Sequence, residues 1–306
     1  MFFITALFAV QVLACGSSVN GGADAADASN VPDASGDAGS PDAAETSDGS
    51  INAPVAEFIV FAKEPSQFDS YMLLASSAVA VSFRSPSPHP SDQDAFEAQG
   101  RAYYFTAASS DYPNFEKEPL YVDLKTIDIV AARKHCSGFY LHEVMTVISG
   151  AHDWNWQIAL DEFDWAWMDA LVVKAKAQGK KVIWSEPSYA WQTMDASPVA
   201  AAHFATWGTT VIPMFATNFP TQIDNCREHA RAIAQRYGLP LGESHQSWYF
   251  IDSGIDVTRE GSFTLAKVTG WDYGATLFQF EGTSMDLYWE SPYMLGIRDF
   301  AKYLLN

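Results

Sequence analysis

Short runs of β-branched and aromatic residues recur along the chain, and turn-forming or polar residues bound each run. Such runs are typical of strands. They predict eight strands, at residues 57–62, 78–83, 101–106, 138–143, 181–186, 209–215, 247–252 and 274–281. Helical patterns separate most of them, most clearly at residues 124–134, 163–178, 226–237 and 293–305. Gly179 and Gly238 directly follow two of these helices, where glycine commonly caps a C-terminus.

The alternation of strands with helices is typical of a parallel sheet that carries helices on its outer side. Residues 55–306 have about the length of a (β/α)8 barrel, for which ~250 residues are typical. We therefore predict an α/β fold of the TIM-barrel type, with eight parallel strands. An open doubly wound sheet is the alternative, but no glycine-rich nucleotide-binding motif follows any of the strands.

Four of the predicted strands end in an acidic residue, namely Glu143, Glu186, Asp252 and Glu281. A single acid at a strand end is more often a surface group or a helix cap. Four in succession indicate that the strand ends converge, and barrel enzymes take their catalytic groups from the C-terminal ends of several strands. We expect these carboxylates to open onto one pocket at that end of the barrel.

Successive side chains of a strand point to opposite faces, which allows the inward residues to be predicted. In each of three strands, two of these residues lie on the same face of that strand: Gln279 with Glu281, Trp184 with Glu186, and Trp248 with Asp252. We expect Gln279 and Glu281 to face the barrel interior, because the alternating phenylalanines suit the helix-facing side. The fourth strand is ambiguous, since His142 and Glu143 lie on opposite faces unless the strand end bends.

Paired carboxylates at a barrel mouth suit glycoside hydrolysis, in which one carboxyl group protonates the leaving oxygen and the other attacks the sugar or activates water. Glu186 has the most apolar surroundings, and desolvation favours a protonated acid. We therefore predict that Glu186 is the general acid. Glu143 or Glu281 is then the nucleophile or base, and Asp252 orients groups or stabilises charge.

Aromatic residues make up 14% of the chain and include ten tryptophans. Tryptophan and tyrosine faces can stack on sugar rings while their polar edges stay hydrated, although ordinary core packing is the alternative. Taken with the strand-end positions, this composition predicts a carbohydrate substrate. The predicted substrate-binding residues are His142, Trp184, Tyr189, Trp191, Asn218, Trp248 and Gln279.

The segment at residues 184–187 (WSEP) resembles the Asn-Glu-Pro motif of the large clan of retaining barrel glycosidases. In that clan the glutamate is the acid/base at the end of the fourth strand, so the resemblance implies this role for Glu186. Ser185 stands where the clan has asparagine, and the segment lies on the fifth predicted strand here.

Residues 1–14 are almost wholly apolar and precede Cys15 in a segment that resembles a bacterial lipobox. A run of this length suits a signal peptide better than a membrane-spanning helix. We predict a lipoprotein-type signal at residues 1–15 with Cys15 lipidated, a disordered acidic linker at 16–54, and the barrel at 55–306. The protein would be exported and anchored at the cell surface or in the periplasm, with a secreted form as the alternative.

The formal net charge of −19 argues against nucleic acid as a partner and against membrane contact other than through the lipid anchor. We expect a monomer without a cofactor. No zinc-binding spacing of Cys or His is present, so no preformed metal site is predicted. Pairing of Cys136 with Cys226 stays open.

Two alternatives to a glycosidase remain. One is a catalytically silent barrel that binds glycans or a cell-wall partner and needs no acid pair. The other is a metal-assisted hydrolase that holds a hard cation with His142, Glu143 and Asp252.

Overall fold

Eight parallel strands form the centre of the molecule in the computed structural model, which describes residues 57–62, 79–82, 94–109, 120–217, 223–246, 258–281 and 292–305. The strands are β1 (Glu57–Ala62), β2 (Val79–Ser82), β3 (Tyr103–Ser109), β4 (Cys136–His142), β5 (Lys181–Glu186), β6 (Val211–Thr217), β7 (Gly242–Gln246) and β8 (Leu277–Glu281). Each pairs in parallel with its neighbours in chain order, and β1 pairs with β8. The predicted α/β architecture with a curled parallel sheet is confirmed.

Ten α-helices connect and cover these strands within the described residues. They are α1 (Asp94–Gln99), α2 (Leu124–Ala131), α3 (Val144–Ala151), α4 (Trp156–Glu162), α5 (Trp165–Ala177), α6 (Ser188–Asp195), α7 (Pro198–Trp207), α8 (Ile223–Tyr237), α9 (Arg259–Ala266) and α10 (Pro292–Leu305). A short π-helix, Lys267–Trp271, follows α9. The sequence pattern predicted α2, α5, α8 and α10, but it missed the helix pairs α3–α4 and α6–α7.

Local signals explain where several helices begin and end. The Asp123 carboxylate accepts hydrogen bonds from two backbone N–H groups at the start of α2, and the Asp164 carboxylate accepts one at the start of α5. These bonds satisfy donors that a helix N-terminus leaves unpaired. Gly179 follows the C-cap residue Gln178 of α5, Gly238 directly follows α8, and both have positive φ, 64° and 63°. Both predicted capping positions are therefore confirmed.

The buried side chains form two layers. The inner layer lies inside the ring of strands and comprises Ile59, Tyr104, Tyr140, Ile183, Ile212, Met214 and Leu277. The outer layer lies between strands and helices and includes Phe58, Phe139, Leu141, Trp184 and Phe278. Because strand side chains alternate between faces, membership of these layers shows which way the residues of each strand point.

Polar groups close the N-terminal end of the ring of strands. The Lys181 ammonium lies 2.6 Å from a Glu57 carboxylate oxygen, and the Tyr104 hydroxyl donates to the other oxygen at 2.8 Å. A side chain at Gly138 would collide with the Lys181 backbone carbonyl, so glycine permits the close approach of β4 to β5. The register between β4 and β5 matters for the site at the opposite end.

The seventh strand lies earlier in the chain than the sequence pattern predicted. Gly242–Gln246 (GESHQ) pairs with both β6 and β8. The predicted segment at 247–252 follows it and lies outside the described residues. The strand GESHQ has no hydrophobic run, so only its pairing with two neighbouring strands identifies it.

The predicted signal segment and the acidic linker also lie outside the described residues. Within the described part of the chain, no helix is both long enough and apolar enough to cross a membrane. Cys136 is buried as a free thiol.

Candidate active site

Three of the four predicted strand-end acids lie at the same end of the sheet. Glu143 directly follows β4, Glu186 ends β5 and Glu281 ends β8. Since all strands run parallel, these positions share the C-terminal end. The side chain of Glu281 is not among those described, and Asp252, Trp248 and Asn218 lie outside the described residues.

The direction of β4, ambiguous from sequence, is set by its packing. Tyr140 belongs to the inner layer, whereas Phe139 and Leu141 belong to the outer layer. The His142 ring stacks on the Tyr140 ring at a centroid distance of 5.8 Å and an interplanar angle of 22°. His142 therefore faces the interior, and its side chain is almost fully buried.

Glu143 joins β4 to α3 in a left-handed backbone conformation, with φ 51° and ψ 40°. Its N–H donates to the Ser185 carbonyl of β5 at 2.8 Å, and α3 begins at the next residue. A non-glycine residue in this conformation costs about 1–2 kcal/mol, and such residues concentrate at functional sites. Glu143 is partly exposed, and its side chain makes no capping bond to α3.

Glu186 lies on the opposite face of its strand from the barrel interior. Ile183 belongs to the inner layer, so Ser185 shares the inward face, while Trp184 and Glu186 point towards the helices. The prediction that Trp184 and Glu186 share a face is correct, but that face is the outer one. Alternation shows which residues share a face, and packing decides which face is inside.

The Glu186 carboxyl group is fully buried. Its Oε1 atom accepts hydrogen bonds from the Met145 N–H and the Trp184 indole N–H, both at 2.9 Å. Burial raises the pKa of Glu186 to about 8, against the lowering effect of these two hydrogen bonds. At neutral pH the group is therefore mostly a neutral acid, and it has no solvent-exposed surface.

The predicted sugar-binding residues Trp184 and Trp191 are core residues. Both are fully buried in the outer layer, and their ring centroids lie 5.6 Å apart. Trp184 also stacks on Phe163 at 4.9 Å and packs against Trp207 at 5.9 Å. Ordinary packing therefore explains these two tryptophans.

Tyr189 is the predicted aromatic residue that stays near the surface. It lies in the first turn of α6, just beyond β5, and is partly buried. Its ring stacks on Trp156 of α4 at 6.2 Å and 23°. This pair lies near the C-terminal end of β5.

A set of buried polar residues faces the interior near the C-terminal ends of the strands. Gln279 lies two residues beyond the inward Leu277, which agrees with the predicted inward face. Ser244 of β7 lies beside it in register. A Cβ at Gly242 would contact the inner-layer side chains of Met214 and Leu277, so Ser244, two residues further on, is also inward. Sequence reasoning missed Ser244 because it missed β7.

The amide of Gln279 and the hydroxyl of Ser244 are buried without a hydrogen-bond partner among the described residues. Native proteins rarely leave buried polar atoms unsatisfied. With His142 and Ser185, they give the inner face a polar lining at this end. Such a lining can bind a polar molecule such as a sugar.

The described residues contain no group of three or more His, Cys, Asp or Glu side chains that could hold a metal ion. His142 and Glu143 are adjacent, but Asp252, the third residue of the metal-assisted alternative, is outside the described part. The described geometry therefore gives this alternative no additional ligand.

No protein-family model and no curated protein matches the chain. Among solved structures, it is similar to the catalytic module of a family 98 glycoside hydrolase from Streptococcus pneumoniae TIGR4 in complex with the LewisY pentasaccharide blood group antigen. The TM-score is 0.59 at 10% identity, over 84% of this chain and 52% of that chain. The same module in its native form matches with the same TM-score, over 82% and 51%.

A second similar structure is the glycoside hydrolase domain of PgaB (BpsB) from Bordetella bronchiseptica, with a TM-score of 0.44 at 12% identity, over 81% of this chain and 99% of that chain. The chain spans about half the length of the family 98 modules that it matches. At this identity the likeness shows a fold shared with a glycoside hydrolase catalytic module, and it transfers no residue roles.

Proposed function

We propose that the protein is a glycoside hydrolase built on a (β/α)8 barrel, with its active site at the C-terminal ends of the strands. The observation that carries the proposal is the position and backbone conformation of Glu143. It is a partly exposed carboxylate in a left-handed conformation, it directly follows the inward His142, and β5 holds its backbone. The fold likeness to a glycoside hydrolase catalytic module supports the proposal.

Glu143 is the first catalytic carboxyl group in this proposal, as nucleophile or base. Glu281 is the second, because it lies at the same end of the sheet, two residues beyond the inward Gln279 on β8. Glycoside hydrolysis needs two such groups across the scissile bond. Asp252 keeps its proposed role of orienting groups or stabilising charge.

The substrate in this proposal is an exported oligo- or polysaccharide. His142, Gln279 and Ser244 supply hydrogen-bonding groups at the inner face, and the Tyr189–Trp156 pair supplies an aromatic surface for a sugar ring. Export and anchoring through Cys15, with residues 16–54 as a tether, remain part of the proposal, as does a monomeric state.

The test compares wild type with Glu143→Gln and Glu281→Gln on an activated aryl glycoside and on a panel of oligosaccharides. We expect each variant to lose turnover by roughly 10²–10⁴, the contribution of a positioned acid or base. Asp161→Asn is the matched control, because it removes a carboxylate from the exposed surface of the neighbouring helix α4. Full activity of Glu143→Gln would remove Glu143 from the mechanism.

One observation favours a second candidate, the catalytically silent glycan-binding barrel. Glu186, the residue in the segment that resembles a catalytic motif, is fully buried. In that case the wild type would bind oligosaccharides in a calorimetric titration but would turn over no member of the panel.

A further inference from the structure

The start of helix α3 is capped in an unusual way. An N-cap side chain ordinarily accepts a hydrogen bond from the second or third backbone N–H of its own helix. Here the N-cap residue is Glu143, and its side chain makes no such bond. The acceptor for the Met145 N–H is instead Glu186 Oε1, which comes from the neighbouring strand at 2.9 Å.

Strand β5 therefore holds the Glu143 turn from both sides. Before the turn, the Ser185 carbonyl accepts from the Glu143 N–H at 2.8 Å. After the turn, the Glu186 side chain accepts from the Met145 N–H. The Trp184 indole N–H donates to the same Oε1 atom at 2.9 Å and fixes the direction of the Glu186 carboxyl group.

We propose that Glu186 is a positioning residue: its carboxyl group caps α3 and, together with the Ser185 carbonyl, holds the backbone turn at Glu143. This inference rests on the proposed function, because it assigns Glu143 a catalytic role. It also changes the role predicted for Glu186 from proton donor to support. A fully buried carboxyl group can hold the backbone turn at Glu143, because this role requires no contact with the substrate.

The protonation state of Glu186 adds a consequence. With two N–H donors on Oε1, the proton of the neutral acid lies on Oε2, which has no partner among the described residues. The ionisable groups whose charges act on the Glu186 carboxyl group are Glu143 and His142. Tyr121 is also near, since burial raises its pKa and the charge of Glu186 adds to that rise. Ionisation of Glu186 places a second negative charge beside Glu143, so it changes the electrostatics of that carboxylate, while the Met145 and Trp184 N–H groups keep their acceptor.

Glu186→Gln and Glu186→Leu separate these effects. Glutamine keeps the Oε1 acceptor and imitates the neutral acid, so it should rescue turnover to within about tenfold of wild type. Leucine removes the acceptor and leaves the Met145 and Trp184 N–H groups unsatisfied. We expect Glu186→Leu to lose kcat by roughly 10²-fold with KM changed little, because positioning acts on the reacting group.

The pH profile gives a readout that a purely structural role would not move. We expect an alkaline limb in wild-type kcat near pH 8 that is absent from Glu186→Gln. A loss of turnover in Glu186→Gln as large as that in Glu143→Gln would overturn the proposal, because it would mean direct proton transfer by Glu186. An alkaline limb unchanged in Glu186→Gln would also overturn it.

Hydrogen exchange at the Met145 amide tests the capping contact without an activity assay. We expect protection in wild type and in Glu186→Gln, and faster exchange in Glu186→Leu. If Glu186→Leu does not fold, Glu186→Met replaces it, because methionine is unbranched and also lacks the oxygen acceptor. A Met145 amide that stays as protected there as in wild type would contradict the capping contact. If hydrogen exchange confirms the bond from the Met145 N–H to Glu186 but the wild type turns over no glycoside, the proposed function is wrong and the capping contact is still correct.

Discussion

The ends of β4 and β5 look alike in the sequence but differ in the structure. Both strands are short hydrophobic runs that finish at a glutamate. After β4 the chain turns at Glu143 with positive φ and leaves the carboxylate partly exposed, next to the inward His142. At the end of β5 the Glu186 carboxyl group points away from the interior and is fully buried.

This comparison shows that the same residue type at the same place in a strand can serve two purposes. The backbone turn leaves Glu143 partly exposed, directly after the inward His142. The outward direction of Glu186 carries its carboxyl group beneath the neighbouring turn, where it accepts two hydrogen bonds. Under our proposals, the first residue carries out chemistry and the second supports it.

The largest expected effect on stability is that of Trp184→Ala, which removes the aromatic centre of the outer layer beside Glu186. We expect a loss of about 3–5 kcal/mol in the free energy of unfolding, as is usual when a large buried aromatic side chain is truncated. Trp154→Ala is the control, since Trp154 is 38% exposed, and it should change stability by no more than about 0.5 kcal/mol. Denaturant titration measures both, and equal losses would contradict the layer assignment.

The second effect is a pH dependence of stability that belongs to Glu186. The pKa of this residue is raised from 4.5 to about 8 in the folded protein. Between these two values the folded state keeps a proton that the unfolded state has lost. Stability therefore falls as pH rises, by at most about 1.4 kcal/mol per pH unit, and the fall levels off above pH 8.

Glu186→Gln should remove this contribution, since glutamine does not ionise. The measurement is the difference in the free energy of unfolding between wild type and Glu186→Gln at pH 5, 6.5 and 8. We expect wild type to lose stability relative to the variant across this series. Parallel pH curves for the two proteins would show that the Glu186 carboxyl group is not held neutral by burial.

The smallest effect is that of Glu143→Gly, which removes the steric cost of the left-handed conformation. We expect stability to rise by up to about 1 kcal/mol, because glycine adopts positive φ without penalty but gains freedom in the unfolded chain. Turnover should be lost at the same time. Asp153→Gly is the matched control, since Asp153 also has positive φ, 53°, and should gain similar stability with activity retained.

Much of the architecture could be predicted from hydrophobic patterning. The bounds of β1 and β5 agree with the predicted segments, and α8 and α10 end where predicted. The inward position of Gln279 followed from alternation with Phe278. These elements carry their own signals, because a strand buried on one or both faces needs apolar residues at regular positions.

Strand β7 could not be predicted because its five residues, GESHQ, lack a hydrophobic run. Its inward residues are Gly242 and Ser244, and the small side chains leave room for Met214 and Leu277. A polar strand of this kind is stable because both neighbouring strands satisfy its backbone. No local property of the segment reports that pairing.

The sequence by itself determined the α/β class, the position of most strands and the acids at their C-terminal ends. Only the tertiary structure decided that Glu143 is partly exposed while Glu186 is fully buried. The physical reason is that alternation divides a strand into two faces without marking the inner one, and packing against the helices makes that choice. The capping of α3 by Glu186 is likewise a contact between residues 41 positions apart in the chain, so only the folded arrangement of β4 and β5 creates it.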